Sequence, residues 1–374
     1  MSGLYVHLPF CPYICPYCDF AKWPHRRSAA ARYLDALAAE TARAPAFSAE
    51  TIFLGGGTPN TYDPADIAAL VERLRARFFV PAGAEITSEL NPDLELCEGF
   101  DAYRAAGITR LSFGAQSFVA PELEMLGRRH SPDDVRTAFA RAREAGFENL
   151  SLDLIFGAPG QTTASWETSL DAALALEPQH ISTYGLTIED GTPFRAWQAR
   201  EPEAFADNEL EADLYGLAID RLGAAGYEHY EISNFARPGF RSRHNANYWA
   251  NGPYLGLGVG AASFLGGVRS VNTRDLDRYC AAALEGSPIP VNSECLTGTA
   301  RAGEAAMLAL RTAEGVETQS FAERYGIDFL THYAEVLSEM RAAGLVESSP
   351  SHVRLTRRGR FVANDVCAAF VTVP

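Results

Sequence analysis

The chain of 374 residues has no apolar run approaching the roughly 18 to 20 residues that a membrane-spanning helix requires. It is also short of positive charge, with 32 Lys and Arg against 47 Asp and Glu and a formal net charge of −15. That balance argues against a nucleic-acid partner, because binding a phosphate backbone needs a basic face. The seven cysteines include no second C-x2-C hook, so a closed zinc tetrahedron would lack part of its ligand set. An odd cysteine count, with no secretory segment ahead of the strand-like run Leu4-Tyr5-Val6-His7-Leu8, speaks against a disulfide framework. Reduced thiols and no export signal place the protein in a cytoplasm. Internal repeats and low-complexity tracts are missing too, apart from a general richness in alanine.

What is present is concentrated. Cys11, Cys15 and Cys18 fall within eight residues, and no close fourth cysteine follows. A cubane iron–sulfur cluster is ordinarily held by four thiolates, one per iron. Three on one loop leave an iron open, and an open coordination position is where a metal centre does chemistry. Pro12, Pro16 and the neighbouring aromatics suit a rigid loop in an apolar pocket. Zinc is the weaker alternative. Cys97, Cys280, Cys295 and Cys367 are scattered singly and read as ordinary buried cysteines.

From residue 4 to about 188, β-rich runs alternate with helical patterns. The expected strands are Leu4–Leu8, Thr51–Leu54, Glu85–Leu90, Arg110–Phe113, Asn149–Phe156 and His180–Leu186. Expected helices include Ser28–Arg43, Ala65–Phe79 and Pro132–Ala145. The last has Ser131 as a cap, Pro132 in its first turn, Asp133 and Asp134 at the positive end of its dipole, and Gly146 as its stop. This alternation predicts an α/β protein with a parallel sheet, and six βα units predict a partial (βα)6 barrel rather than a full eight-stranded one. A helix over Asn208–Ala224, a strand over Tyr227–Ile232 and a helix over Leu276–Leu284 are expected next. Residues 243–267, rich in glycine and aromatics, are expected to bridge. Residues 291–374 read as a small winged-helix-like C-terminal domain, engaged in packing or protein contact rather than DNA reading. The expected divisions are 1–230, 231–290 and 291–374.

Parallel barrels carry their reactive groups at the carboxyl ends of the strands. The cysteine loop follows the first strand and Gly55-Gly56-Gly57-Thr58-Pro59 the second, where missing Cβ atoms let backbone approach a ligand. Glu89 ends the third strand, Gln116 follows the fourth and Asp153 lies in the fifth. Each alone reads equally well as a satisfied buried polar group. Convergence on the face that carries the cysteines points to a ligand site.

The spacing Cys11-x3-Cys15-x2-Cys18 resembles that of radical S-adenosylmethionine proteins, in which the fourth iron of a [4Fe–4S] cluster binds the methionine moiety of the nucleotide. The wider run Tyr5-Val6-His7-Leu8-Pro9-Phe10-Cys11 resembles the subfamily of oxygen-independent coproporphyrinogen III oxidases and heme chaperones, as does Asp153-Leu154-Ile155-Phe156-Gly157-Ala158-Pro159-Gly160-Gln161-Thr162. The resemblance covers essentially the whole chain. It implies that Tyr5 and Tyr17 border the cluster and S-adenosylmethionine. It also implies that Gly56, Gly57 and Thr58 lie along the methionine portion and that Glu89, Gln116, Arg128 and Asp153 contact the nucleotide. A reduced cluster would then pass an electron to the sulfonium, the protein supplying orientation and exclusion of water.

Two departures separate the oxidases from the heme chaperones. The oxidases carry a fourth cysteine where this chain has Phe20, and a substantial segment ahead of the cluster motif where this chain has ten residues. A further run, Arg243-His244-Asn245-Ala246-Asn247-Tyr248-Trp249, resembles the H-N-x-x-Y-W motif of the chaperones. It implies heme contacts by His244, Tyr248 and Trp249, with His244 as axial ligand, or His7, His229 or a cysteine in its place. Gly256-Leu257-Gly258-Val259-Gly260 reads as backbone room for a macrocycle. The expectation is a cytosolic heme chaperone, monomer or dimer, with a [4Fe–4S] cluster and S-adenosylmethionine. It would deliver heme to apo-hemoproteins, those of a respiratory chain among them. No residue is assigned a catalytic role. The alternatives are a porphyrinogen oxidase and an iron–sulfur sensor acting through the C-terminal domain.

Overall fold

The computed structural model describes residues 1–371. Its strands, in chain order, are β1 (Gly3–Leu8), β2 (Phe10–Cys11), β3 (Trp23–Pro24), β4 (Thr51–Gly56), β5 (Glu85–Leu90), β6 (Arg110–Gln116), β7 (Asn149–Phe156), β8 (His180–Gly185), β9 (Glu228–Glu231), β10 (Asn234–Ala236), β11 (Tyr254–Leu257), β12 (Ala262–Leu265), β13 (Val268–Asn272) and β14 (Val291–Cys295). β1, β4, β5, β6, β7 and β8 lie side by side in that order and run parallel. Helices over Arg27–Arg43, Pro64–Arg77, Phe100–Ala106, Pro132–Glu144 and Thr163–Ala175 make the crossovers. A consecutive order without a reversal is the topology of a barrel rather than of a doubly wound sheet. β8 and β1 are not neighbours, so the barrel stays open as expected.

The bridging segment contributes more sheet than its sequence announces. β11 pairs parallel with β1, adding a seventh parallel strand to the six expected, and β12, β13 and β14 extend that edge antiparallel. At the other edge β10 and β9 add to β8. The expected division at residue 230 therefore cuts a β-hairpin, and the division at 290 precedes a strand of the same sheet. One core gathers residues from Leu4 to Ala283, and a second, from Ala302 to Phe370, belongs to the C-terminal part. That part carries helices and a three-stranded sheet of β15 (Val316–Glu317), β16 (Val346–Ser348) and β17 (His352–Leu355), in the element order of a winged helix.

Local signals hold where they are strong. Ser131 closes a reciprocal capping box with Asp134, and Gly146 adopts φ +85 just past the helix end. Asn208–Ala224 is helical as expected. The glycines of 256–260 leave no room for a macrocycle: a Cβ on Gly256 would lie 2.0 Å from the Ala262 carbonyl oxygen, and one on Gly258 2.4 Å from the Tyr33 hydroxyl. They serve close strand packing. Cys97, Cys280 and Cys367 are buried, whereas Cys295, on the outermost strand, is exposed, contrary to expectation.

Tyr33 ties the added edge to the barrel. Its fully buried hydroxyl donates to the His7 carbonyl oxygen (2.6 Å) and accepts from the Val259 N–H (3.2 Å). Tyr33→Phe strands that N–H in the core, at a cost of about 1–3 kcal/mol. Urea denaturation of the purified variant checks this, and unchanged stability would contradict it.

Candidate functional site: a three-cysteine loop over a glycine-lined cavity

Side chains alternate across each strand. Leu4, Val6, Leu8, Ile52, Leu54, Leu111, Phe113, Leu150, Leu152 and Leu154 face the helices in the main core. The opposite faces carry Tyr5, Thr51, Thr87, Glu89, Arg110, Ser112, Ser151, Asp153, His180 and Ser182, so the barrel lumen is polar. At its carboxyl end a cavity of about 470 Å³ opens.

Cys11, Cys15 and Cys18 all line that cavity, and all are free thiols. Their loop is pinned at both ends. β2 pairs with β3, joining Phe10 to Trp23 and Cys11 to Pro24, and the His25 N–H donates to the Cys11 carbonyl (2.8 Å). Within the loop the Cys18 N–H reaches the Cys15 carbonyl (3.3 Å), and Phe194 donates to the Pro16 carbonyl (3.2 Å). Lys22, the only lysine in the chain, donates to the carbonyls of Cys18 and Phe20. Among the described residues no three His, Cys, Asp or Glu side chains converge on a single metal ion. Three thiols sharing one cavity, with no fourth side-chain sulfur beside them, fit a polynuclear cluster that leaves one iron free. Burial pushes the Cys11 thiol up to about 11, with Thr58 donating a hydrogen bond in opposition, and burial raises Cys18 as well. A metal reverses that preference by binding the thiolate.

Eight of the nine residues expected around the nucleotide line the same cavity: Tyr17, Gly56, Gly57, Thr58, Glu89, Gln116, Arg128 and Asp153. The exception is Tyr5. Its hydroxyl is bound to His7 Nδ1 (2.8 Å) and lies among the lumen side chains rather than on the cavity wall. The glycines are required. Gly56 has φ +97, and a Cβ on Gly57 would come within 2.5 Å of the Leu8 carbonyl oxygen. Gln116, at the end of β6, holds φ +64, a strained backbone for a non-glycine residue, beside the cavity.

The cavity has an acidic floor and one deep cation. Glu89 accepts from the Gly56 N–H (3.0 Å), and burial pushes its carboxyl up to about 7, with nearby Asp153 adding to the rise. Asp153, itself raised by burial, accepts from Ser112 Oγ (3.1 Å). Arg128 donates from Nη2 to Asn91 Oδ1 (2.7 Å) and the Gly114 carbonyl (3.0 Å), and its Nη1 lies 3.5 Å from Cys15 Sγ. Its buried Nε has no partner. Two half-buried carboxyls facing the cavity suit a cationic ligand, and a guanidinium suits a carboxylate on the same ligand. Asn91, Ser112, Tyr184 and Lys22 also line the cavity and escaped the sequence reading. Lys22 had a signal in its uniqueness, whereas the others are defined only by the fold.

His244, Tyr248 and Trp249 are at the opposite end. Their helix, Arg243–Trp249, packs on the amino ends of the strands. The backbone N–H groups of Arg243 and His244 donate to the carboxylate of Glu85 at the start of β5 (3.2 and 3.1 Å). His244 is 1% exposed, stacks on Phe53, and engages Thr51 Oγ1 through Nδ1 and the Tyr248 hydroxyl through Nε2, both at 2.8 Å. Trp249 lies under the guanidinium of Arg311 from the C-terminal part. Here the motif plugs the barrel and joins it to the second core. The heme-ligand role expected of His244 does not match this arrangement, since neither ring nitrogen is free. His7 and His229 are likewise bonded through both nitrogens.

A partial barrel with three cysteines on the loop after its first strand, facing a glycine-lined cavity, defines a radical S-adenosylmethionine protein. Residues 5–173 match the radical SAM superfamily and residues 296–362 the HemN C-terminal domain. The chain is 38% identical to the heme chaperone HemW of Bacillus subtilis over 99% of both chains, and 38% identical to that of Escherichia coli over 69% of each. The structure of Escherichia coli coproporphyrinogen III oxidase (HemN), a radical SAM enzyme, superposes with a TM-score of 0.86 at 26% identity, covering 99% of this chain and 90% of that one. The chain belongs to the HemW family of the radical SAM superfamily.

Glu89 gives the site a pH signature. Its folded pKa lies above its ordinary value of 4.5, so the native state holds the extra proton between pH 4.5 and about 7. Stability of the cofactor-free protein therefore falls as pH rises through that window, by about 3 kcal/mol from this group. Glu89→Gln removes that loss. Denaturant titrations at pH 5 and pH 8 should find the variant more stable than the parent only at pH 8; a variant less stable at pH 8 contradicts the assignment.

Proposed function

We propose that this chain is a cytoplasmic heme chaperone of the radical SAM class, binding heme and passing it to apo-hemoproteins, respiratory-chain ones among them. The observation that carries the reading is 38% identity to the Bacillus subtilis heme chaperone over 99% of both chains. Phe20 adds to it: the residue is 66% exposed at the position where the oxidases of the superfamily have a fourth cysteine.

Cys11, Cys15 and Cys18 would hold a [4Fe–4S] cluster, with S-adenosylmethionine in the cavity beside it. Together these groups supply one-electron chemistry at a sulfonium when bound. Glu89 and Asp153 offer negative charge to a cationic nucleotide, and Arg128, fixed by Asn91 and Gly114, offers a guanidinium to its carboxylate. Gly56 and Gly57 present backbone without side-chain obstruction, Thr58 and Gln116 add polar contacts, and Tyr17 covers one side with its ring against Phe194. The heme ligand belongs elsewhere than His244.

The second reading is a coproporphyrinogen III oxidase, favoured by the structural likeness to that enzyme. Two experiments separate the readings. Heme titrated into the purified protein should give a stable Soret band, and none would refute the chaperone. Reduced, reconstituted protein incubated anaerobically with coproporphyrinogen III should yield no protoporphyrinogen IX; its formation with matching nucleotide consumption would establish the oxidase.

For His244, the plug arrangement predicts that His244→Ala lowers stability by about 1–3 kcal/mol, because buried partners lose their hydrogen bonds. The Soret maximum of the folded variant should be unchanged. A folded variant that has lost the heme spectrum would restore the ligand role.

A further inference from the structure

One charged group in the lumen is left over by everything above. Arg110, the first residue of β6, is 2% exposed, and its buried Nε has no hydrogen-bond partner. A buried guanidinium with an unsatisfied N–H is expensive and calls for an explanation. Register fixes its place. Arg110 stands opposite Thr87 on β5, whose buried hydroxyl also lacks a partner, and one layer below Ser112 on the same face. Ser112 in turn stands opposite Glu89 and donates to Asp153. On the other side Arg110 stands opposite Asn149 of β7, so it lies one layer below Glu89 and two layers below Asp153 on the same lumen face.

We infer that Arg110 is a positioning residue: a fixed internal countercation that favours the ionised forms of Glu89 and Asp153 beneath the cavity, so that the floor attracts a cationic nucleotide more strongly near neutral pH than it would without it. A direct ion pair would neutralise one carboxylate and withdraw it from the ligand. A cation one layer below Glu89 and two below Asp153, in a lumen screened from bulk water, lowers the cost of both charges without pairing directly with either.

The other groups around Arg110 do not compete for it. His180 bonds Ser151 and Tyr230 through its two nitrogens, and burial keeps it neutral; burial likewise pulls His244 down to about 3. Tyr230 and Tyr5 are held neutral by burial. Glu85 spends its carboxylate on the backbone of Arg243 and His244. Arg110 opposes the upward shift of both Glu89 and Asp153.

The inference rests on S-adenosylmethionine being the cavity's ligand. Its test is equilibrium binding of that nucleotide to cluster-reconstituted protein between pH 6 and 9, without turnover. Arg110→Gln should move the pH midpoint of binding up by about one unit. At pH 7 affinity then falls about 5-fold, while at pH 9 it returns close to the parental value. Arg110→Lys, which keeps the charge, should follow the parent. A parental profile in Arg110→Gln, or an equal loss at pH 7 and pH 9, overturns the inference. If Arg110→Gln fails to fold, the double variant with Glu89→Gln, relieved of one of the charges Arg110 offsets, should fold; its failure overturns the inference too. Absence of binding in the parent itself would instead defeat the nucleotide reading.

Discussion

Alternation of side chains along six consecutive parallel strands decides where everything else in this molecule can sit. The outward faces are leucine, isoleucine, valine and phenylalanine, and they bury against the crossover helices. The inward faces are mostly small or polar, Phe53 and Ile155 excepted, which leaves a lumen with hydrogen-bonding capacity instead of the branched apolar layers that usually fill a parallel barrel. A polar lumen costs stability, and the structure offsets part of that cost internally: Ser112 bonds Asp153, Ser151 bonds His180, and Thr51 bonds His244. At the carboxyl end the same alternation delivers Glu89 and Asp153 to the floor of an open cavity, while the chain leaving β1 and β4 delivers cysteines and glycines to its walls. At the amino end a short helix closes the barrel.

Much of this is legible in the residues themselves, for reasons that differ by region. Glu85–Leu90 and Asn149–Phe156 form strands over the expected residues because short β-rich runs bounded by turn signals have no helical competitor. The cysteine loop is legible because metal chemistry constrains spacing within one short segment. Beyond residue 230 the signals weaken. β11 forms because β1, some 250 residues earlier, offers it an edge. Nothing local in a glycine- and aromatic-rich segment states that. The glycines there suggested space for a ligand, when in the fold they are filled by neighbouring backbone.

His244 teaches a related lesson. A histidine among aromatics marks a special environment, but the sequence does not say whether that environment contains a ligand or a hydrogen-bonded plug. Burial and the occupation of both ring nitrogens are tertiary facts. Tyr5 is similar: its period-two position puts it on the lumen face with Glu89, yet its height in the barrel, under the cavity rather than beside it, follows from the bond to His7. Arg110 reads in sequence as an unremarkable strand-initial cation, and only the register shows what lies above it.

Likeness in fold to a porphyrinogen oxidase and likeness in sequence to heme chaperones are compatible, because a shared barrel does not fix the chemistry performed at its mouth. The account stands on the trio of thiols at the mouth of this barrel. The most direct measurement is Mössbauer spectroscopy of anaerobically prepared, iron-57-labelled protein, with and without S-adenosylmethionine. The account predicts a [4Fe–4S] signature in which one iron changes its parameters when the nucleotide is added. A spectrum without a cubane, or a cubane indifferent to the nucleotide, would contradict it.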